Sequence, residues 1–97
     1  MAVKELDRAD IVARMSALSD DTRLRILQMI AENSEMRSQD IIEAVDLSQP
    51  SVSRYLTQLT VTGYLHERRV HGAKAYTLNR DRIEKTLKAV RKFLLES

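Results

Sequence analysis

The chain has no cysteine and no tryptophan, and only one proline and two glycines in 97 residues. Each scarcity removes a class of explanation. Without cysteine there is no disulfide framework, no thiolate metal ligand and no thiol redox switch, and the cytoplasm is the expected compartment. No apolar run approaches the roughly 20 residues of a membrane-spanning helix. The opening residues, MAVKELD, lack the basic-then-apolar order of a signal peptide. No glycine-rich loop is present to cradle a phosphate, and no serine, histidine and acid form a nucleophilic constellation. No catalytic residue is assigned, therefore, and no cofactor is expected. The acidic pairs Asp20-Asp21 and Glu43-Asp46 fall at helix ends, where capping accounts for them. With Pro50, Gly63 and Gly72 as the only strong breakers, the chain is expected to be mostly helical.

What is present suits one soluble globular domain over residues 1–97, with 43% hydrophobic and 31% charged residues. A chain this short buries a modest fraction of its surface, so a partner subunit would help it. The net charge of +2 hides an asymmetry. Residues 1–48 carry 6 basic and 10 acidic side chains, and residues 49–97 carry 10 and 4. A basic half of this kind suits a phosphate backbone, where each neutralised phosphate releases a counterion.

Apolar spacing predicts helices at about 4–18, 20–32, 38–45 and 49–62, a β-hairpin over 64–78 and a last helix at 80–95. Ile11, Met15 and Leu18 line the first helix, and Leu24, Ile26, Leu27, Ile30 and Ala31 the second. Ile41, Ile42 and Val45 face the core from the third, with Asp40 at its positive end. Asp46, Leu47 and Ser48 make a tight turn into the fourth helix, giving a helix-turn-helix unit. Gly63 closes that helix. The hairpin has its tip at His71-Gly72, with the loop type left open, and Tyr76 and Leu78 return one face to the core. Asn79 can cap the last helix, where Ile83, Leu87, Val90 and Leu94 form a stripe. The fold class is therefore mostly α with a small β-hairpin wing, in the order α-α-α-α-β-β-α.

Residues 47–59, LSQPSVSRYLTQL, are the most informative stretch. Ser48 is a natural N-cap and Pro50 falls in the first turn, where a missing N–H costs nothing. Val52, Tyr55, Leu56 and Leu59 form one apolar stripe. The other face carries Gln49, Ser51, Ser53, Arg54, Thr57 and Gln58, with no carboxylate. Amides, hydroxyls and one guanidinium suit a polyanion with readable base edges. Arg68, Arg69, His71 and Lys74 at the hairpin tip can grip the neighbouring backbone or minor groove. Arg37, Ser38 and Gln39 can add phosphate contacts at the start of the third helix. The expected partner is double-stranded DNA. A rival reading is a winged-helix module for protein interaction or dimerisation, with no sequence preference among DNAs.

Residues 17–27, ALSDDTRLRIL, and 47–56, LSQPSVSRYL, resemble the "LADPTRLRIL" and "LSQPTVSRHL" segments of the ArsR/SmtB group of bacterial and archaeal winged-helix repressors. The hairpin with Gly72 and Tyr76 matches that family's wing more loosely, so the resemblance covers about residues 17–78. It implies a homodimeric repressor in which first and last helices meet their counterparts. Ile11, Met15, Ile83, Leu87, Val90 and Leu94 would form that interface, and the two recognition helices would read an inverted repeat.

The chain departs from the family at its metal sites. Where a metalloid site needs thiolates there are Met36, Arg37 and Ser38. The site between last helices, aligned from Asp81, holds Ile83, Leu94 and Ser97. One carboxylate does not hold a transition metal, so no metal regulation is expected and the effector is left unnamed. His66 and His71 could pair on a metal, make a pH-dependent phosphate contact, or be solvated wing residues with His71 serving the turn. Tyr55 stands where the family usually has His; its ring can pack behind the helix and its hydroxyl can reach a phosphate. Met15, Met29 and Met36 read as core fillers.

Overall fold

The computed structural model describes residues 6–96, which form five helices and a three-stranded antiparallel sheet. In chain order these are α1 (Arg8–Leu18), α2 (Asp21–Asn33), β1 (Glu35–Arg37), α3 (Ser38–Ala44), α4 (Gln49–Val61), β2 (Leu65–Val70), β3 (Ala73–Leu78) and α5 (Arg80–Leu95).

Short polar side chains set the helix starts by accepting from otherwise free amides. Asp7 accepts from the Asp10 amide at 2.9 Å, and the Asp10 carboxylate accepts from the Asp7 amide at 3.3 Å. This reciprocal box fixes the start of α1 at Arg8 rather than near residue 4. Residues 4 and 5 of the expected helix lie outside the described residues. Asp20, Ser48 and Asn79 cap α2, α4 and α5, accepting from the amides of Arg23, Ser51 and Arg82. At the far end of α4, Tyr64 N donates to Leu59 O at 2.9 Å and Gly63 N to Thr60 O at 3.1 Å. That paired pattern needs a left-handed residue, and Gly63 supplies it with φ +88°.

Ile26, Ile30, Ile41, Val45, Val52, Leu56, Leu59, Tyr64, Leu65 and Tyr76 build the core between α2, α3, α4 and the sheet. Leu24, expected to line it, is 55% exposed. On a 3.6-residue period it lies about 110° from the centre of the arc of Ile26, Leu27 and Ile30, outside the buried face. The third helix ends at Ala44, and Val45 reaches the core from extended backbone instead.

Strand β1 was not expected. Its three residues are too few and too polar to show alternation, and tertiary pairing creates it. Glu35, Met36 and Arg37 pair with Thr77, Tyr76 and Ala75 of β3, giving the order β1-β3-β2. Arg37, expected at the start of the third helix, is thus the last residue of β1 and precedes α3.

The terminal helices project from this core. The Cα radius of gyration is 14.7 Å, against about 12.5 Å for a compact chain of this length. One buried hydroxyl pair ties them in. The Tyr64 hydroxyl, fully buried, donates to the Arg14 carbonyl of α1 at 2.8 Å and lies 2.9 Å from Thr86 Oγ1 of α5. Thr86 Oγ1 is in turn 2.9 Å from the Arg82 carbonyl. Tyr64 thereby joins the end of the helix-turn-helix to both projecting helices.

Candidate nucleic-acid interface

The capping serine sets the geometry of α4. Ser48 Oγ accepts from the Ser51 amide and donates to Ser51 Oγ at 2.9 Å, so both hydroxyls at this helix start are engaged with each other. Val52, Leu56 and Leu59 are buried, and Gln49, Pro50, Ser53, Arg54, Thr57, Gln58 and Val61 are exposed. No carboxylate lies on the helix. Arg54 makes no hydrogen bond or ion pair to any described residue, so its five donors face solvent at the centre of the exposed face. Gln58 differs: its Oε1 accepts from Arg23 Nη1 at 2.9 Å.

Arg23 itself carried no role in the sequence reading. Its Nε donates to Ala17 O at 3.0 Å and its Nη2 to Ser16 O at 3.1 Å, two carbonyls of the last turn of α1, of which Ser16 O also accepts from the Ser19 amide and hydroxyl. Its guanidinium carbon lies 5.9 Å from the centre of the Tyr55 ring. Tyr55 is half-buried behind α4, as its place on the apolar stripe implies. The sequence signals for Arg23 are its position three residues after the capping Asp20 and its place in the family-like segment 17–27.

The wing is a two-residue hairpin. Val70 pairs with Ala73 across His71 (φ +51°) and Gly72 (φ +80°), so both central residues are left-handed as in a type I′ turn. Arg69 Nη1 donates to Gly72 O at 2.9 Å and closes the tip. Lys74 lies 3.7 Å from Glu67. Arg68 makes a two-pronged pair with Glu35, at 2.6 and 2.9 Å, reaching across β3 to β1. The Arg68 hydrogen bond holds the Glu35 carboxyl below the ordinary carboxylate range, and Glu35 raises Arg68 in return. The wing cations therefore stand in a lattice of internal partners that the sequence alone did not reveal. Burial, and secondarily the Glu67 charge, raises the Tyr76 hydroxyl. His66 and His71 are both exposed.

At the base of the interface, α3 starts at Ser38 with no side-chain cap on its amides, and Gln39 Nε2 donates to Glu43 at 3.2 Å. Among the described residues no three His, Cys, Asp or Glu side chains are placed to hold a metal ion. Asp81 pairs with Lys85 at 3.1 Å, Ile83 packs against the core, and Ser97 lies outside the described residues.

Of the six residues expected between subunits, Ile11 is buried within its own chain and Ile83 packs against the core, which leaves them little to offer a partner. Met15, Leu87 and Leu94 are exposed and Val90 is half-buried. Val12 and Phe93 add exposed apolar surface to the same two helices. No described helix is long and apolar enough to cross a membrane.

Comparison with known proteins agrees with this architecture. The family model described as bacterial regulatory protein, arsR family, matches residues 20–67, from the cap of α2 into β2. An uncharacterized HTH-type transcriptional regulator of Methanocaldococcus jannaschii is 34% identical over 74 residues, covering 76% of this chain and 83% of the relative. An arsenic resistance transcriptional regulator of Pseudomonas putida is 44% identical over 52 residues, covering 54% of this chain and 41% of its own length. The chain thus spans well under half of that arsenic regulator. The crystal structure of NolR from Sinorhizobium fredii superposes with a TM-score of 0.70 at 26% identity, covering 95% of this chain and 97% of that one. An ArsR-like regulator from a Rhodococcus species reaches 0.80 at 20% identity, over 91% and 82%, a likeness of fold. The family-model match and the sequence relatives together place the chain in the arsR family of bacterial regulatory proteins.

Proposed function

We propose that the chain is a homodimeric repressor that reads an inverted-repeat operator and is not controlled by metal. The observation that carries the reading is the exposed face of α4, free of carboxylates and centred on the unpaired Arg54. Gln49, Ser51, Ser53, Arg54, Thr57 and Gln58 meet base edges and flanking phosphates, with Ser48 fixing the helix start. Arg37, Ser38 and Gln39 contact the backbone beside α3. Arg68, Arg69, His71 and Lys74 carry the wing along the duplex.

The dimer is supported by the uncovered apolar side chains of α1 and α5. Leu87 at 59% and Leu94 at 67% exposure would be a liability on a monomer. Repression follows the named role of a relative, an arsenical resistance operon repressor of Escherichia coli, 40% identical over 52 residues. That relative's response to arsenicals does not carry over, because thiolates are absent and Asp81, Ile83 and Leu94 offer one carboxylate to a metal.

Selection of random duplex DNA by the purified protein, with Arg54→Ala in parallel, tests the reading. Wild type enriches an inverted repeat, and the variant degrades one position in each half-site, losing about 1–3 kcal/mol there. Salt-sensitive bulk binding without enrichment would instead favour a protein-interaction module.

A further inference from the structure

The geometry points to Arg23 as a positioning residue that fixes Gln58 as a hydrogen-bond donor, so that this place on α4 rejects cytosine. The inference rests on the DNA-binding reading above and adds a specificity to it.

A glutamine amide at a recognition helix is ordinarily ambivalent. It can donate through its NH2 group and accept through its carbonyl, which is how it pairs with the N7 and N6 positions of adenine. Here the carbonyl is already taken by Arg23 Nη1 at 2.9 Å. The assignment of oxygen and nitrogen is set by chemistry, because a guanidinium has five donors and no acceptor. Flipping the amide would set N–H against N–H.

Arg23 is not free to yield. Its Nε and Nη2 are bound to the carbonyls of Ala17 and Ser16, and the Tyr55 ring lies 5.9 Å from its centre. Its own amide is held by Asp20 at 3.0 Å. The guanidinium is thus fixed to the end of α1 and the start of α2, and a bond with a charged donor is stronger than a neutral one. The carbonyl keeps a second lone pair, but its oxygen is held toward Arg23 of α2, so the group Gln58 turns outward is its NH2. In the major groove a lone donor meets an acceptor at guanine O6 or N7, at thymine O4 and at adenine N7, whereas cytosine offers only its N4 donor and opposes it.

The test is the same duplex selection, run with wild type, Gln58→Ala, Gln58→Glu and Arg23→Lys, each variant first checked for a cooperative thermal transition. Gln58→Ala locates the position, by erasing the preference at one base in each half-site. Wild type disfavours cytosine there by about tenfold, within the range of one base contact. Gln58→Glu, an acceptor only, turns the preference to adenine or cytosine with Arg23 untouched. Arg23→Lys cannot span the three carbonyls, so it frees the Gln58 carbonyl and admits cytosine at that position while the other positions keep their preferences. A wild-type preference for cytosine there overturns the inference. So does a Gln58→Ala variant that weakens all sequences equally, or an Arg23→Lys variant that degrades every position together. If wild type enriches no sequence, the DNA-binding reading itself fails; the other adverse outcomes leave that reading intact.

Discussion

Removing the phenolic oxygen of Tyr64 should cost the fold about 1–1.5 kcal/mol, the worth of one buried hydrogen bond and no more. The limit comes from counting protons. Three short contacts link Tyr64 Oη, Arg14 O, Thr86 Oγ1 and Arg82 O, at 2.8, 2.9 and 2.9 Å. Only two hydroxyl protons are available to fill them. Tyr64 gives its proton to Arg14 O, and Thr86 divides its own between Tyr64 Oη and Arg82 O. In Tyr64→Phe the Thr86 hydroxyl turns wholly to Arg82 O, and Arg14 O keeps its place in the helical ladder. No buried group is orphaned, so the larger penalty of an unsatisfied polar atom does not arise. Thr86→Val should cost less than Tyr64→Phe, because Tyr64 keeps its bond to Arg14, and the double variant should cost less than the two losses added together. Urea unfolding at one fixed protein concentration is the assay, since a dimer's stability depends on that concentration. A loss above about 3 kcal/mol for Tyr64→Phe would mean that a buried acceptor had been stranded, which refutes the proton count. Simple additivity in the double variant would refute the link between the two hydroxyls.

Other outcomes follow from the same structure. The Glu35 carboxyl sits below its ordinary value of 4.5 through its bond to Arg68, so its contribution is present above that pH and lost as pH falls through the lowered value. Glu35→Gln should therefore lower stability slightly at neutral pH, leave low pH unchanged and so flatten the acid limb, as a series of thermal melts would record. Gly63→Ala should destabilise more than Gly72→Ala. Both carry a left-handed penalty of about 1–2 kcal/mol, but a Cβ at Gly63 would also lie 2.6 Å from Arg82 Nε and push it from Thr62 O, while Gly72 faces open space. Leu87→Glu should dissociate the proposed dimer at micromolar concentration in sedimentation. By twofold symmetry the lost burial counts twice, about 3–6 kcal/mol in all. Lys74→Ala should reduce the slope of log affinity against log salt by about one per subunit in DNA titrations; an unchanged slope removes Lys74 from the interface.

The helix-turn-helix was legible because its information is local. Ser48 and Pro50 mark the start of α4, Gly63 marks its end, and the stripe of Val52, Leu56 and Leu59 fixes which side is buried. The turn at His71-Gly72 was legible for the same reason. Strand β1 was hidden, since Glu35, Met36 and Arg37 become a strand only against β3, 38 to 42 residues further along. The partners of Arg68 and Gln58 were hidden likewise, at sequence separations of 33 and 35. Composition marked both residues as candidates to meet DNA. It could not reveal that Glu35 and Arg23 reach them first, because those meetings depend on how distant segments pack.

Strand β1 has a bearing on how such proteins could be rebuilt. Since its last residue leads directly into α3 while its edge is stitched to β3, the wing is anchored at the root of the reading head rather than hanging from α4 alone. A graft of residues 64–78 into a relative would leave β3 without its outer neighbour and Arg68 without Glu35. The transferable cassette runs from residue 34 to residue 78, and chimeras cut inside it should lose cooperative unfolding.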